Sequence, residues 1–182
     1  KRLDLTPMVG TQPDSYRTAY TITVDHESVH TGITAKERCR TIQELVCPTS
    51  SVGDFIRPGH VMPLVAKEGG VLRRAGHTEA TVDLARLAGV QPAGVLCEIL
   101  SDDGDRASRA ELMEIAEREN LEIISIEQLI AHRRVSEKLI SRTCEADLPT
   151  RYGKFRIVVY DVKYEEQVPI ALVLGDVSDS ER

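Results

Sequence analysis

Apolar positions recur along this chain with two different periods, and the period changes several times. From 18 to 24 (Thr18-Ala19-Tyr20-Thr21-Ile22-Thr23-Val24), threonines alternate with larger side chains, the period of a strand. After Thr31-Gly32-Ile33-Thr34 the period becomes helical. Thr34 is suited to cap, Glu37 stands three residues on as in a capping box, and Ile42, Leu45 and Val46 supply a stripe. Pro48 to Pro58 is rich in loop formers. His60 to Ala66 predicts a strand, at an edge or bent where Pro63 interrupts it. Gly69-Gly70 marks a turn. A helix then opens at Gly76-His77-Thr78, turns Leu84, Leu87 and Ala88 inward and stops at Gly89.

Gly94 to Leu100 predicts a short apolar strand, followed by a polar turn at Ser101-Asp102-Asp103-Gly104-Asp105. Ser108 with Glu111 caps a helix to about Asn120, with Leu112, Ile115 and Ala116 inward; Leu121 to Ile124 predicts a strand; Ser125 with Gln128 caps a last helix ending near Arg133-Arg134. This alternation predicts an α+β fold, an α/β sandwich whose sheet is flanked by helices. The pattern changes over 135–150. Ser136 to Arg142 is polar and amphipathic, and Leu148-Pro149-Thr150 reads as a boundary. Beyond it, Phe155 to Val162 and Pro169 to Gly175 predict two strands around a charged turn at Tyr164-Glu165-Glu166. Two strands do not make a stable domain alone. The expected organisation is one domain over 1–134, a linker over 135–149 and the opening hairpin of a second domain over 150–182.

Length and composition narrow this only a little. At 182 residues the chain fits one domain, or one domain and a fragment. A chain of ~150 residues hides roughly 70% of its unfolded surface. With 41% apolar and 29% charged residues, disorder of the whole chain is excluded as a reading. A net charge of −6 argues against a chain built mainly to hold nucleic acid. The four cysteines, Cys39, Cys47, Cys97 and Cys144, form no C-x-x-C pair, so the spacing carries no zinc or redox signature. They read as reduced thiols of a cytoplasmic protein. No apolar run approaches the ~20 residues of a membrane span, and no signal peptide is visible. The chain opens on Lys1, close to a strand pattern, and is expected to be a piece of a longer polypeptide.

The densest candidate chemistry is Arg73-Arg74-Ala75-Gly76-His77-Thr78-Glu79, where a loop becomes a helix. Free N–H groups and the helix dipole favour an anion there, Arg74 adds a guanidinium and Thr78 a hydroxyl. The positive helix end disfavours imidazolium, so His77 is suited to bind metal as a neutral ring. Capping and surface charge explain the same residues without function. His60, after Arg57-Pro58-Gly59, is either a structural hydrogen-bonding residue or an acid–base group. Glu98 interrupts the apolar run Val95-Leu96-Cys97-Glu98-Ile99. It either faces solvent or is a working carboxylate. Asp102, Asp103 and Asp105 match no calcium loop. Thr31-Gly32-Ile33-Thr34 is a weaker anion cradle or a plain cap.

Taken together, Arg57-Pro58-Gly59-His60-Val61-Met62-Pro63-Leu64, then Gly69 through Ala80 with Arg73-Arg74-Ala75-Gly76-His77-Thr78-Glu79, then Ala93-Gly94-Val95-Leu96-Cys97-Glu98, resemble 3,4-dihydroxy-2-butanone-4-phosphate synthase over about 1–134. The resemblance implies a magnesium-dependent lyase of riboflavin biosynthesis, with manganese as an alternative ion. It converts ribulose 5-phosphate to dihydroxybutanone phosphate and formate. It also implies a homodimer with its active site at the interface. Carried over, His60 is a catalytic acid–base residue and Glu98 the essential carboxylate. Arg74, Ala75, Gly76, His77 and Thr78 hold the sugar phosphate, with Thr31 and Thr34, and His77 binds the metal. The family's other metal ligand lies in an acidic N-terminal loop that has no match here, and without that part of the sheet apolar surface is expected to lie open. Lys36-Glu37-Arg38 stands where the family usually has a small residue and Asp before Arg.

Leu148-Pro149-Thr150-Arg151-Tyr152-Gly153-Lys154-Phe155 and Ala171-Leu172-Val173-Leu174-Gly175-Asp176 resemble the opening of GTP cyclohydrolase II, which follows the synthase in bifunctional riboflavin enzymes. That domain's zinc-binding cysteines have no counterpart, and no cyclohydrolase activity is expected. Two rivals to the lyase remain. One is a catalytically incomplete sugar-phosphate-binding or scaffold fragment of a bifunctional enzyme. The other is a nucleotide-binding regulatory domain. No nucleic-acid or membrane partner is expected.

Overall fold

The computed structural model describes residues 2–10 and 18–177; Lys1 and the last five residues, which the expectations about the two ends include, lie outside the described residues. The fold is α+β. Four helices, α1 (Ala35–Val46), α2 (His77–Leu87), α3 (Arg109–Glu119) and α4 (Ile126–Ser136), accompany two small antiparallel sheets among the described residues. Strand β1 (Val24–His26) pairs with β2 (Phe55–Val61), and β3 (Ile140–Thr150), β4 (Gly153–Val162) and β5 (Ile170–Leu174) form a three-stranded meander.

Three helices start as the sequence dictates. Thr34 with Glu37, Ser108 with Glu111 and Ser125 with Gln128 each complete a full capping box, so two N–H groups at each of those helix starts, the cap's own and that of the third helical residue, are met locally. Helix α2 differs. Its N-cap is Gly76, and no side chain caps it. Asn120 closes α3 in the left-handed region at φ 52°, which Asn tolerates better than most residues.

The first sheet is short because its ladder is interrupted. Asp25 and His26 face Ile56 and Phe55, whereas Val24 faces Val61, so the register jumps between Val24 and Asp25. Side chains fill the gap: Thr23 Oγ1 accepts from the Gly59 N–H at 3.1 Å and Asp25 Oδ1 from the His60 N–H at 2.9 Å. The strand expected over 60–66 therefore sits earlier, at Phe55–Val61, and within the segment expected as loop. Beyond Pro63 only the bridge Tyr20↔Leu64 continues it. The expected strand at 18–24 is reduced to bridges at Tyr20 and Thr21 before β1 begins.

Two further expectations are corrected. Gly94–Leu100 and Leu121–Ile124 are not strands among the described residues; residues 91–100 are exposed, with a single bridge between Leu100 and Arg106. A strand exists only where a neighbour takes a row of its N–H and C=O groups, and these runs have isolated bonds only: the Ile99 carbonyl accepts from the Ala107 N–H at 3.0 Å and the Leu121 N–H donates to the Ala116 carbonyl at 2.8 Å. Val95, Leu96, Ile99, Leu121, Ile123 and Ile124 consequently lie open. In the tail, the two expected strands are β4 and β5. The expected linker 135–149 adds a third, since β3 pairs with β4 from Ile140↔Val162 to Thr150↔Gly153.

Two apolar clusters make the core. Leu3, Val24 and Phe55 pack with Leu5 and Leu45; Val71, Ala80 and Leu129 pack with Ile126 and Ile130. Buried polar bonds join the elements between them. The Thr41 hydroxyl of α1 accepts from the His26 N–H of β1 at 3.0 Å, and the His26 ring meets Phe55 edge-on at 5.6 Å. The turn after β4 reaches the loop before α2: Arg73 lies 3.7 Å from Glu165 and 3.5 Å from Glu166, and Tyr164 packs on Gly69.

At Gly59 a Cβ would fall 2.1 Å from the Val24 carbonyl carbon and 2.2 Å from the Asp25 nitrogen, both backbone atoms. Gly59→Ala is expected to force β2 from β1 and to lower the unfolding free energy by about 1–3 kcal/mol. Urea denaturation of the two proteins measures the difference.

Candidate functional site

The loop from Gly70 to Gly76 delivers Arg74 to the start of α2. The Gly70 carbonyl accepts from the N–H groups of Arg73 (2.9 Å) and Arg74 (3.1 Å), which forms a tight turn. The Arg74 side chain then folds over Gly76. Its Nη1 donates to Glu79 Oε2 at 2.5 Å and its Nη2 to Thr18 Oγ1 at 3.1 Å. Gly76 has no Cβ for a reason, since one would stand 2.2 Å from Nη1. Glu79 is 1% exposed, and its other oxygen accepts from the Lys67 N–H at 2.9 Å. A buried carboxylate thus fixes the guanidinium beside a helix start that no side chain caps. His77 and Ala75 are exposed there, and Thr78 is buried. The arrangement offers fixed positive charge and oriented donors to an anion.

His60 stands on β2, paired with a residue the sequence did not single out. Its Nδ1 lies 2.6 Å from Asp25 Oδ2, while its own N–H donates to Asp25 Oδ1. The carboxylate is buried and the ring is 43% exposed. An ionised carboxylate only accepts, so the proton sits on Nδ1 and the lone pair on Nε2. That is the form of a general base held in one orientation. Room for the carboxylate comes from Gly32, at φ +79°, where a Cβ would lie 2.2 Å from Asp25 Oδ2.

The Thr31-Gly32-Ile33-Thr34 loop already holds an anion, and that anion belongs to the protein. The Glu37 carboxylate accepts from the N–H groups of His30, Thr31 and Thr34 and from both threonine hydroxyls, at 2.8 to 3.3 Å. The hydrogen bond from the Thr31 N–H is the main cause that holds its carboxyl down, from the ordinary 4.5 to about 2. The donor-rich loop is real. As it stands, its donors serve the cap of α1.

Glu98 lies in the exposed segment 91–100, and its carboxylate has no hydrogen-bond partner among the described residues. The structure therefore joins Arg74, Gly76, His77 and Thr78 with Glu79, and separately His60 with Asp25. It does not draw Glu98 to either. Among the described residues no three His, Cys, Asp or Glu side chains converge on one point. His77 alone is not a magnesium site, since that ion takes a shell of oxygen ligands. Asp25 and Glu79 were missed because an acid in a β-rich run, or three residues into a helix, looks like ordinary polar surface. The one available signal was Glu79 beside Arg74 in a single short motif.

A model of the 3,4-dihydroxy-2-butanone 4-phosphate synthase family matches residues 1–132. The riboflavin biosynthesis proteins RibBA of Bacillus cereus and Bacillus mycoides are each 52% identical over 181 residues, which is 100% of this chain and 46% of theirs. The chain thus spans about half the length of the curated relatives it matches. Among solved structures, RibBX from A. baumannii, a two-domain 3,4-dihydroxy-2-butanone 4-phosphate synthase, superimposes with a TM-score of 0.85 at 41% identity, over 96% of this chain and 52% of that one. A 3,4-dihydroxy-2-butanone 4-phosphate synthase in complex with two magnesium ions gives 0.66 at 38% identity, over 74% and 68%.

Two outcomes are expected from this geometry. Asn at position 25 presents one oxygen and one NH₂ to two donors, so Asp25→Asn is expected to move the His60 proton from Nδ1 to Nε2. The imidazole ¹⁵N shifts report the tautomer. The Glu37 carboxyl is depressed, so its contribution to stability is present above about pH 4.5 and is lost as the pH falls towards about 2. Amide exchange at His30 and Thr31 is expected to accelerate over that window and, in Glu37→Gln, to be fast at every pH.

Proposed function

Because this chain belongs to the 3,4-dihydroxy-2-butanone 4-phosphate synthase family, we propose that its residues act on ribulose 5-phosphate, releasing formate and leaving L-3,4-dihydroxy-2-butanone 4-phosphate for riboflavin biosynthesis. The two products together contain every atom of the substrate, so the reaction needs no oxidant or reductant. What it needs is a grip on a phosphate, a base to remove a proton beside a carbonyl, and acids to move protons as one water leaves and one water returns to cut off the carbon that becomes formate.

The arrangement at the head of α2 carries this reading. Arg74, fixed by Glu79 over Gly76, joins the uncapped N–H groups of His77 and Thr78 and the Thr78 hydroxyl as a phosphate cradle. His60 supplies the base through Nε2, oriented by Asp25. Glu98 serves as the essential carboxylate, and its exposed place on 91–100 leaves it open to substrate. Thr31 and Thr34 contribute by holding Glu37, and they meet substrate if that carboxylate gives way. Magnesium is supported by the relative described with two magnesium ions, and manganese stays the alternative ion of the proposal. His77 is the one ligand these residues offer it, so the donor set is incomplete and no step is derived through the ion.

We further read the chain as a synthase region over 1–134 and a connector over 135–149, with a tail that resembles the start of GTP cyclohydrolase II. It would work in the cytoplasm as a homodimer with shared active sites. No helix among the described residues is long and apolar enough to cross a membrane. Cyclohydrolase chemistry is not part of the proposal.

The second reading is a fragment that binds the sugar phosphate without turning it over. What favours it is that, among the described residues, no three His, Cys, Asp or Glu side chains converge on one point and no hydrogen bond ties Glu98 to either His60 or the head of α2. Formate release from ribulose 5-phosphate with added magnesium separates the two. The lyase reading expects formate, a 10²-fold or larger fall in kcat for Glu98→Gln with unchanged circular dichroism, and a higher magnesium requirement for His77→Ala. Binding without formate leaves the fragment.

A further inference from the structure

The loop that presents Arg74 is gripped from behind by two charged side chains that the proposed chemistry does not use. Asp83 stands on α2, six residues or about 9 Å along the helix from His77, and is 2% exposed. Its Oδ2 accepts from the Val71 N–H at 2.8 Å and from Arg133 Nη1 at 2.7 Å. Arg133 comes from α4, and the same Nη1 donates to the Gly69 carbonyl at 2.8 Å. Its other nitrogens hold Glu137, Nε to Oε1 at 2.5 Å and Nη2 to Oε2 at 2.9 Å. Asp83 Oδ1 has no hydrogen bond, and Arg86 Nη1 lies 3.5 Å away. Gly70, at φ +59°, admits this packing, because a Cβ would sit 2.1 Å from Asp83 Oδ1. The two backbone groups seized this way, the Gly69 carbonyl and the Val71 N–H, flank Gly70, from whose carbonyl the turn to Arg73 and Arg74 hangs.

We propose that Asp83 and Arg133 are positioning residues for the phosphate cradle: they lock the Gly69–Val71 turn between α2 and α4 and so fix where Arg74 stands relative to the first turn of α2. The proposal rests on the cradle reading above and deepens it. The cradle has two halves, a loop guanidinium and the N–H groups of a helix. Glu79 ties the side chain of one to the other, and the Asp83–Arg133 pair ties the backbone. A buried pair bound on both sides to backbone has few alternative geometries, whereas an apolar cluster such as Val71, Ala80 and Leu129 tolerates sliding. Without the pair, the loop would carry Arg74 through a range of positions, and phosphate would bind more weakly to a chain that is still folded.

Titration calorimetry of the 182-residue chain with inorganic phosphate tests this, using the double variant Asp83→Leu/Arg133→Met, which replaces the pair by apolar groups and leaves no lone buried charge. The expected result is a dissociation constant at least fivefold higher with unchanged stoichiometry, together with at least tenfold faster amide exchange at Val71, Arg73 and Arg74 and unchanged exchange in α1. A merely structural role would lower the stoichiometry and leave the constant alone. That result, or a constant and exchange rates equal to the parent's, overturns the proposal. If the double variant does not fold, Arg133→Lys is read on the same scales, with a two- to threefold rise expected and no rise overturning. A parent chain that binds no phosphate, or whose affinity Arg74→Ala leaves intact, overturns the cradle reading and this one with it. Phosphate binding that Arg74→Ala abolishes and the double variant retains overturns this one alone.

Discussion

Buried carboxylates that each seize a backbone N–H and a side-chain cation or imidazole hold this protein's working parts in place. Asp25 takes the N–H and the Nδ1 of His60; Glu79 takes the N–H of Lys67 and the guanidinium of Arg74; Asp83 takes the N–H of Val71 and the guanidinium of Arg133. All three are under 10% exposed. Desolvating a carboxylate is costly, and that cost is offset only when several donors meet it in good geometry. Each of these sites meets the condition with two donors, both from His60 at Asp25 and from two separate residues at Glu79 and at Asp83. The same interaction that makes the burial tolerable therefore fixes a loop against a helix or a ring against a strand.

This matters because apolar packing is thin. Two clusters of three buried residues each anchor the first 134 residues, while Val95, Leu96, Leu121 and Ile123 lie open. Capping boxes secure three helices independently of any core. Helix α2 is the exception, and its free end is where the candidate anion site lies. The lack of any side-chain cap at this helix gives the cradle its location, and Arg74, held by Glu79, gives it charge.

The tail is held differently. Leu148, Phe155 and Leu174 form one cross-strand row, and Ala146, Ile157 and Leu172 the next, so one face of the meander is apolar. It meets the cradle loop through Tyr164, which packs on Gly69, and through Arg73 to Glu165 and Glu166, exposed pairs at 3.5 to 3.7 Å that are worth little in water. The Asp83–Arg133 pair grips the same loop through the Gly69 carbonyl and the Val71 N–H.

By itself, the sequence determined what depends on near neighbours. The starts of α1, α3 and α4 were legible because a capping residue and its partner lie three positions apart, and the end of α2 because Gly89 follows it. The motif that places Arg74, Gly76 and His77 together was legible for the same reason. The face of α2 was not, since Leu84, Leu87 and Ala88 are exposed and Thr78, Glu79, Ala80 and Asp83 are buried. Tertiary structure alone decided what distant residues do to one another. Whether 94–100 and 121–124 become strands depends on partners, which no local pattern supplies. Strand β3 was passed over because Cys144 and Ala146 give a faint alternation, and Gly153–Val162 is what makes it a strand. Asp25 with His60 are 35 residues apart and Asp83 with Arg133 are 50 apart. Such pairs leave no periodicity in the chain, and only the folded backbone brings carboxylate and donor within 3 Å.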